Sequence, residues 1–144
     1  MEGNTGNGMT SKEKIKRAWE ENDLVALLKE GIDSFLSLLS KRPVPFQTFM
    51  NEIGSQIDQR IPTLEKNSGG TFYGGTLTIQ PLKGEIFELC ATLYSRTADG
   101  QWSVTQMRTQ AKQSQISDWD SEPSLTPLRQ GGKLEFPIDP PAKT

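Results

Sequence analysis

The spacing of apolar residues changes its period once along this chain, between residues 61 and 71. Before this point apolar side chains recur every three or four positions, which is typical of helices that bury one stripe. After Asn67-Ser68-Gly69-Gly70 they alternate, which is typical of strands with one buried face. Helices followed by strands predict an α+β fold, in which the helices cover one face of an antiparallel sheet.

Two amphipathic helices are predicted before the change of period. The first covers Leu24 to Leu39, and the second carries its apolar stripe from Phe46 to Ile61. Pro43 and Pro45 separate them, because the residue before a proline is pushed out of the α region. Pro62 is predicted to end the second helix or to follow closely on its end, since proline lacks the N–H that a helix interior needs.

A further, charged helix is predicted ahead of these two. Thr10 and Glu13 form a capping-box pattern at its start. Three apolar residues share one face of this helix: Ile15, Ala18 and Trp19. Their phase differs from that of the next helix, which predicts a break near Asn22–Asp23.

Residues 1–9 are predicted to be a disordered leader, and they lack the basic and apolar regions of a secretory signal. The most apolar window, Leu24 to Leu39, contains Lys29, Glu30 and Asp33. It is also shorter than the roughly 20 apolar residues that a membrane span needs. We therefore expect a cytoplasmic protein without a membrane span.

Three strands are predicted in the alternating part, over residues 71–81, 84–95 and 101–111. One face of the second strand is apolar and carries Phe87, Leu89, Ala91 and Leu93. A three-residue loop, Leu82-Lys83-Gly84 with a left-handed glycine, places Tyr73, Leu77 and Ile79 on that same face. A two-residue loop would turn these side chains to the other face, so the longer loop is predicted.

Asp99-Gly100 predicts a tight turn between the second and third strands. Pairing across this turn is predicted to place Trp102 and Val104 beside Leu93 and Ala91, under the helices. The same face of the third strand then continues with three polar residues: Gln106, Arg108 and Gln110. Either this end of the sheet lies beyond the helices and faces water, or the three side chains line a cleft in which Arg108 binds an anion.

The opposite face of the predicted sheet is rich in threonine and partly apolar. Such a face either stays in water or binds another protein. Four residues of this face are candidate partner-binding residues: Thr92, Tyr94, Thr105 and Met107. Trp119 is a fifth candidate, because an exposed tryptophan is a frequent binding hot spot, whereas a buried one would anchor the loop around it.

Residues 120–144 contain Gly131-Gly132 and five prolines. This composition predicts an extended arm in place of a helix or a central strand, although residues 133–138 could add a short edge strand. The predicted organisation is therefore the leader at 1–9, a single α+β domain at 10–119 and the arm at 120–144.

Composition excludes several kinds of chemistry. The 144 residues include no histidine, so an imidazole base or metal ligand is excluded. A single cysteine, Cys90, excludes an internal disulfide and a multi-thiolate zinc site. The net charge of −2 provides no general attraction to nucleic acid.

Three sequence motifs suggest ligands but are interpreted as structural. GGTFYGG, residues 69–75, lacks the Gly-Lys-Ser/Thr ending of a phosphate-binding loop and precedes a strand. The acidic triplet Asp118, Asp120 and Glu122 lacks the central glycine and twelfth-position carboxylate of a calcium loop. The basic residues between Lys12 and Arg17 are neutralised by glutamates of the same predicted helix.

The chain is thus predicted to be a two-layer α+β domain, with N-terminal helices packed on a three- to four-stranded antiparallel meander. Its expected function is a non-catalytic protein-interaction module, such as an adaptor, assembly factor or regulatory subunit. The partner is another protein, and a homodimer through the open sheet face is one form of this hypothesis. The alternative is a pocket protein that recognises a small anionic ligand through Gln106, Arg108 and Gln110. No cofactor and no metal site is predicted.

Overall fold

The computed structural model describes residues 24–68 and 70–140 and confirms the α+β class. In chain order the regular elements are α1 (Leu24–Leu39), α2 (Phe46–Ser68), β1 (Thr71–Lys83), β2 (Ile86–Arg96), β3 (Trp102–Lys112), α3 (Thr126–Arg129) and β4 (Leu134–Ile138). The predicted leader, the predicted helix over residues 10–22 and the end of the predicted arm at 141–144 lie outside the described residues.

The four strands form one open antiparallel sheet in the order β3-β2-β1-β4. The first three strands are the predicted meander, and β4 returns to pair with the free side of β1. No helix within residues 24–68 or 70–140 combines the length and the apolar character needed to cross a membrane.

The hydrophobic core lies between the helices and one face of this sheet. The predicted stripe of α2 is confirmed, and its buried members are Phe46, Phe49, Ile53, Ile57 and Ile61. Phe49 meets Phe87 of β2 with 6.1 Å between ring centroids, so the stripe packs directly on the sheet. Each fully buried side chain of this kind contributes about 1.5–3 kcal/mol to folding.

Pro62 does not end α2, which continues to Ser68. The prolyl nitrogen cannot donate to the Asp58 carbonyl four residues earlier. Both residues lie on the exposed side of the helix, where water can satisfy that carbonyl. The prediction that Pro62 marks the helix end was therefore wrong. The missing backbone hydrogen bond costs little on the exposed side of the helix, where water replaces the lost donor.

The first hairpin has the predicted orientation of its core residues. Leu77 pairs with Ala91 and Ile79 pairs with Leu89, so all four share the face that the helices cover. The turn itself differs in detail, because Gly84-Glu85 closes it and the register shifts between Pro81 and Lys83. Gly84 has the predicted left-handed backbone, with φ of 57°. Leu82 is the extra, unpaired residue of this irregularity. Like the predicted longer loop, it keeps Leu77 and Ile79 on the face that the helices cover.

The predicted register of the second hairpin was wrong. Arg96 pairs with Trp102 and Tyr94 with Val104, which turns both Trp102 and Val104 away from the helices. The cause is a three-residue loop in place of a two-residue turn. Its ends are joined by the Thr97 N–H, which donates to the Gln101 carbonyl at 2.8 Å. Side chains alternate along a strand, so one additional loop residue exchanges the two faces of β3.

Two polar contacts fix α1 over β3. The Thr109 hydroxyl donates to Asp33 Oδ1 at 2.6 Å. The buried amide of Gln115, just after β3, donates to the Leu36 carbonyl at 2.6 Å and accepts from the Lys112 N–H at 2.7 Å. Because these contacts follow the same order in both elements, α1 and β3 run in the same direction.

Residues 120–140 are part of the folded domain, so the predicted extended arm is corrected, whereas the alternative of a short edge strand over residues 133–138 is confirmed by β4. Pro123–Leu125 forms a 3-10 turn that leads into α3, and β4 pairs with β1. Leu125 and Leu128 are fully buried in the core. Prolines are tolerated here because Pro123 and Pro127 occupy the first turns of short helices, where no N–H is required.

Replacement of Gly75 by alanine is expected to lower the free energy of unfolding by about 2 kcal/mol or more, because overpacking against rigid backbone cannot relax. A Cβ at Gly75 would lie 2.0 Å from the Thr92 carbonyl oxygen of β2. Gly54→Ala is the matched control, since no atom lies within 4 Å of its added Cβ. Removing a helical glycine there should raise stability by about 0.5–1 kcal/mol. Urea denaturation measures both changes, and equal effects would contradict the packing described for β1.

Candidate interaction surface on the open sheet face

The face of the sheet that points away from the helices carries an apolar cluster at one end. We call this cluster the aromatic patch and define it as Tyr73, Tyr94, Arg96, Trp102 and Val104. Tyr94 and Val104 are directly opposite each other in β2 and β3, and Arg96 is opposite Trp102. The patch is thus assembled by the same register that orients β3.

Tyr73 reaches the patch through an irregularity in β1. Phe72 pairs with Ser95 and Gly74 with Tyr94, so Tyr73 is an extra residue between two paired positions. Gly74 has φ of 122°, a backbone conformation that side-chain-bearing residues rarely adopt. As a result Phe72 turns into the core while Tyr73 turns to the open face, and the prediction that Tyr73 faces the helices was wrong.

The members of the patch contact one another. The rings of Tyr73 and Trp102 meet edge to face, with centroids 5.2 Å apart. The guanidinium carbon of Arg96 lies 5.4 Å from the Trp102 ring centroid, within the range of a cation–π contact. Arg96 Nε also donates to the Gly100 carbonyl at 3.1 Å, which ties the patch to the loop before β3.

The loop before β3 is ordered by its own polar groups. Gly100 has a left-handed backbone with φ of 88°, and its N–H donates to the Thr97 carbonyl at 2.9 Å. The Thr97 hydroxyl donates to the Asp99 carboxylate, and this hydrogen bond lowers the pKa of Asp99 below its usual range. These contacts fix the direction in which Trp102 leaves the loop.

The patch is exposed although four of its five side chains are large and hydrophobic. Trp102 and Val104 are 58% and 59% exposed, and Tyr73 and Tyr94 are 54% and 42% exposed. Isolated apolar residues at a surface are ordinary, whereas a contiguous cluster indicates a binding surface. The exposures show that no described segment of the chain covers this cluster.

Outside the patch the open face is mostly polar, and several of its polar side chains are paired with one another. The Glu88 carboxylate accepts from Gln80 Nε2 at 3.0 Å and from Arg108 Nη1 at 3.4 Å. Gln106 donates to the Thr92 hydroxyl at 3.2 Å and its amide oxygen lies 3.5 Å from Arg108 Nη2. Lys83, Ile86 and Lys112 form the last row of this face beside the first hairpin.

Two of the five predicted partner-binding residues lie on the open face, and three do not. Thr92 and Tyr94 are placed as predicted. Met107 is 1% exposed beneath the helices, and Thr105 shares its face. Trp119 is buried and stacks on Phe87 with ring centroids 5.4 Å apart, so it anchors its loop to the core. The exchange of the two faces of β3 explains the error for Thr105 and Met107.

The residues predicted for an anion-binding cleft are also on the open face. Gln106, Arg108 and Gln110 alternate with Met107 and Thr109, which face the helices. The side chain of Arg108 is 58% exposed and its charge is paired with Glu88. The predicted cleft between the helices and the sheet therefore does not lie at these residues.

The other motifs have structural roles where the structure describes them. Asp118 Oδ1 accepts the Phe46 N–H at 2.8 Å, so the acidic loop caps the start of α2. From Gly70 onward, GGTFYGG leads into β1 and supplies its irregularity. Cys90 is buried between Thr78 and Arg108 on the open face. Within residues 24–68 and 70–140 no three acidic or cysteine side chains lie close enough together to hold a metal ion.

Comparisons of the chain with protein-family models, with curated protein sequences and with solved structures found no match.

Threonine substitutions at Val104 and Met107 test which face of β3 is buried. Val104→Thr is expected to change the free energy of unfolding by no more than about 0.5 kcal/mol, as at other exposed sites. Met107→Thr should cost about 2 kcal/mol or more, because it leaves a cavity and buries a hydroxyl. Thermal and urea denaturation give both values. The reverse order would show that Val104, and not Met107, is in the core.

Proposed function

We propose that this chain is a non-catalytic protein-interaction module that binds another protein through the aromatic patch. The observation that carries the proposal is the contiguous exposure of Tyr73, Tyr94, Trp102 and Val104 on one sheet face. A partner that covers these side chains recovers the burial energy that the free domain leaves unused, about 25 cal/mol for each Å² of apolar surface.

The composition and shape of the patch favour a protein partner over a small ligand. Tryptophan, tyrosine and arginine are the residues most enriched in binding hot spots, and all three occur here in contact. Small-ligand sites are concave and enclose most of the ligand. The patch instead lies on the outer face of an open sheet, a shape that suits the surface of another domain.

The proposal is tested with a photo-crosslinking amino acid at Val104 of the full chain in its source cells. The matched control carries the same group at Leu38, which is 69% exposed on α1. A specific partner should be crosslinked from position 104 and not from position 38. The crosslinked polypeptide is then identified by mass spectrometry, purified, and titrated against the unmodified chain and Trp102→Ala.

Trp102→Ala is expected to raise the dissociation constant at least about tenfold, since a central hot spot contributes more than 1.4 kcal/mol. The variant should keep its fold, because the side chain is more than half exposed. Equal crosslinking from both positions, or a dissociation constant unchanged by Trp102→Ala, would refute the proposal. A nucleic acid as the only crosslinked species would also refute it.

A further inference from the structure

We infer that two copies of this chain pair with each other through residues 102–106 of β3, which we call the edge segment. Their two sheets then join into one continuous antiparallel sheet. β3 is an outermost strand, and such a strand presents backbone N–H and C=O groups that can pair with another chain. This pairing uses the edge of the sheet and not its open face, so it goes beyond the proposed function.

The backbone groups of β3 point alternately toward β2 and toward the free edge. The Thr97 N–H donates to the Gln101 carbonyl across the loop, so these two residues form a hydrogen-bonded pair. Bonded and non-bonded pairs alternate along an antiparallel ladder. Counting from Gln101, the backbone groups of Trp102, Val104 and Gln106 therefore point to the free edge.

The far end of β3 follows the same alternation. Lys112 belongs to the same set as Val104, and its N–H donates to Gln115 Oε1 at 2.7 Å and not to β2. The chain thus covers its own edge at that end. Within residues 24–68 and 70–140, no group accepts a hydrogen bond from the N–H of Trp102, Val104 or Gln106. The edge segment is the part of β3 where these donors remain available.

The two edges of the sheet differ in their protection against a further strand. Short length, charges and prolines all discourage edge pairing. β4 combines them, since its five residues include Glu135 and Pro137. The edge segment contains neither a charge nor a proline. Ser103 and Val104 are exposed on its two opposite faces, so a further strand has room beside it.

The edge segment is complementary to itself, which points to a second copy as the occupant. A two-fold axis at Val104 places this residue opposite itself and Trp102 opposite Gln106, so each pair exchanges both of its N–H···O bonds. No like charges meet in this register. Arg108, the nearest cation of β3, comes opposite Gly100 of the second copy, beside the Asp99 carboxylate.

The pairing places both aromatic patches on the same side of the joined sheet, because the two-fold axis of an antiparallel pair is perpendicular to the sheet. Tyr94 is opposite Val104, so the row across the axis reads Tyr94, Val104, Val104, Tyr94. The open face stays accessible to a partner protein. Photo-crosslinking from position 104 is then expected to capture a second copy in addition to the partner.

Charge substitutions in the purified full chain test the pairing. Val104→Lys should raise the dimer dissociation constant about fivefold or more, because two ammonium groups then lie opposite each other at the axis. Val104→Glu should do the same, and an equimolar mixture of the two variants should dimerise again, since opposite charges now meet. Sedimentation equilibrium over a dilution series gives the dissociation constants.

Tyr94→Lys is the matched control for packing through the open face. Tyr94 lies on the same face as Val104, but its counterpart in the second copy is about 14 Å away across the joined strands. This variant should leave the dissociation constant unchanged. Equal losses from Tyr94→Lys and Val104→Lys would overturn the inference in favour of face-to-face packing. A chain that remains monomeric throughout the series would also overturn it.

Amide hydrogen exchange provides a second readout. The amides of Trp102, Val104 and Gln106 should exchange at least about tenfold more slowly in concentrated than in dilute solution, whereas that of Thr105, which donates to β2, should not change. Protection of the three amides in a monomeric sample would assign the edge to another part of the same chain and overturn the inference. These experiments need no partner protein, so their failure is distinguishable from failure of the proposed function.

Discussion

The length of the loop between β2 and β3 determines which side chains of β3 enter the core and which face solvent. Three residues separate Thr97 from Gln101, whose backbones are joined by a 2.8 Å hydrogen bond, and Gly100 supplies the left-handed conformation that such a loop requires. Because side chains alternate along a strand, this odd number sends Trp102 and Val104 to solvent and Met107 to the core. The interior packing and the exposed patch are therefore consequences of the same turn.

The two faces of β3 have different surroundings. On the inner face Met107 and Ala111 complete the core, and Thr109 connects the strand to Asp33 of α1. On the outer face Trp102 and Val104 are more than half exposed, so each leaves apolar surface in water whose burial would contribute about 25 cal/mol for each Å². Substitutions on the inner face should thus change stability, whereas under the proposed function substitutions on the outer face should change binding.

The sequence was sufficient to predict the fold class, the α2 stripe and the direction of Leu77 and Ile79, because long regular patterns determine them. The sequence was insufficient to predict which face of β3 is buried. Asp-Gly suits turns of two or three residues, and both faces of this strand carry apolar residues. A signal was present nonetheless: a face that begins with Trp102 and Val104 and continues with polar residues is typical of a surface. The outward turn of Tyr73 and the folded C-terminal stretch depend on long-range pairing with β2 and β1, which local patterns do not encode.

The central claim is the register of β2 against β3, and backbone proton contacts across this hairpin measure it directly. In a solution NMR spectrum of the full chain, cross-strand nuclear Overhauser effects should join Tyr94 to Val104 and Ala91 to Met107. Contacts that instead join Val104 to Leu93 or to Ser95 would place Trp102 and Val104 beneath the helices. That result would contradict both the core described for this protein and the proposed interaction surface.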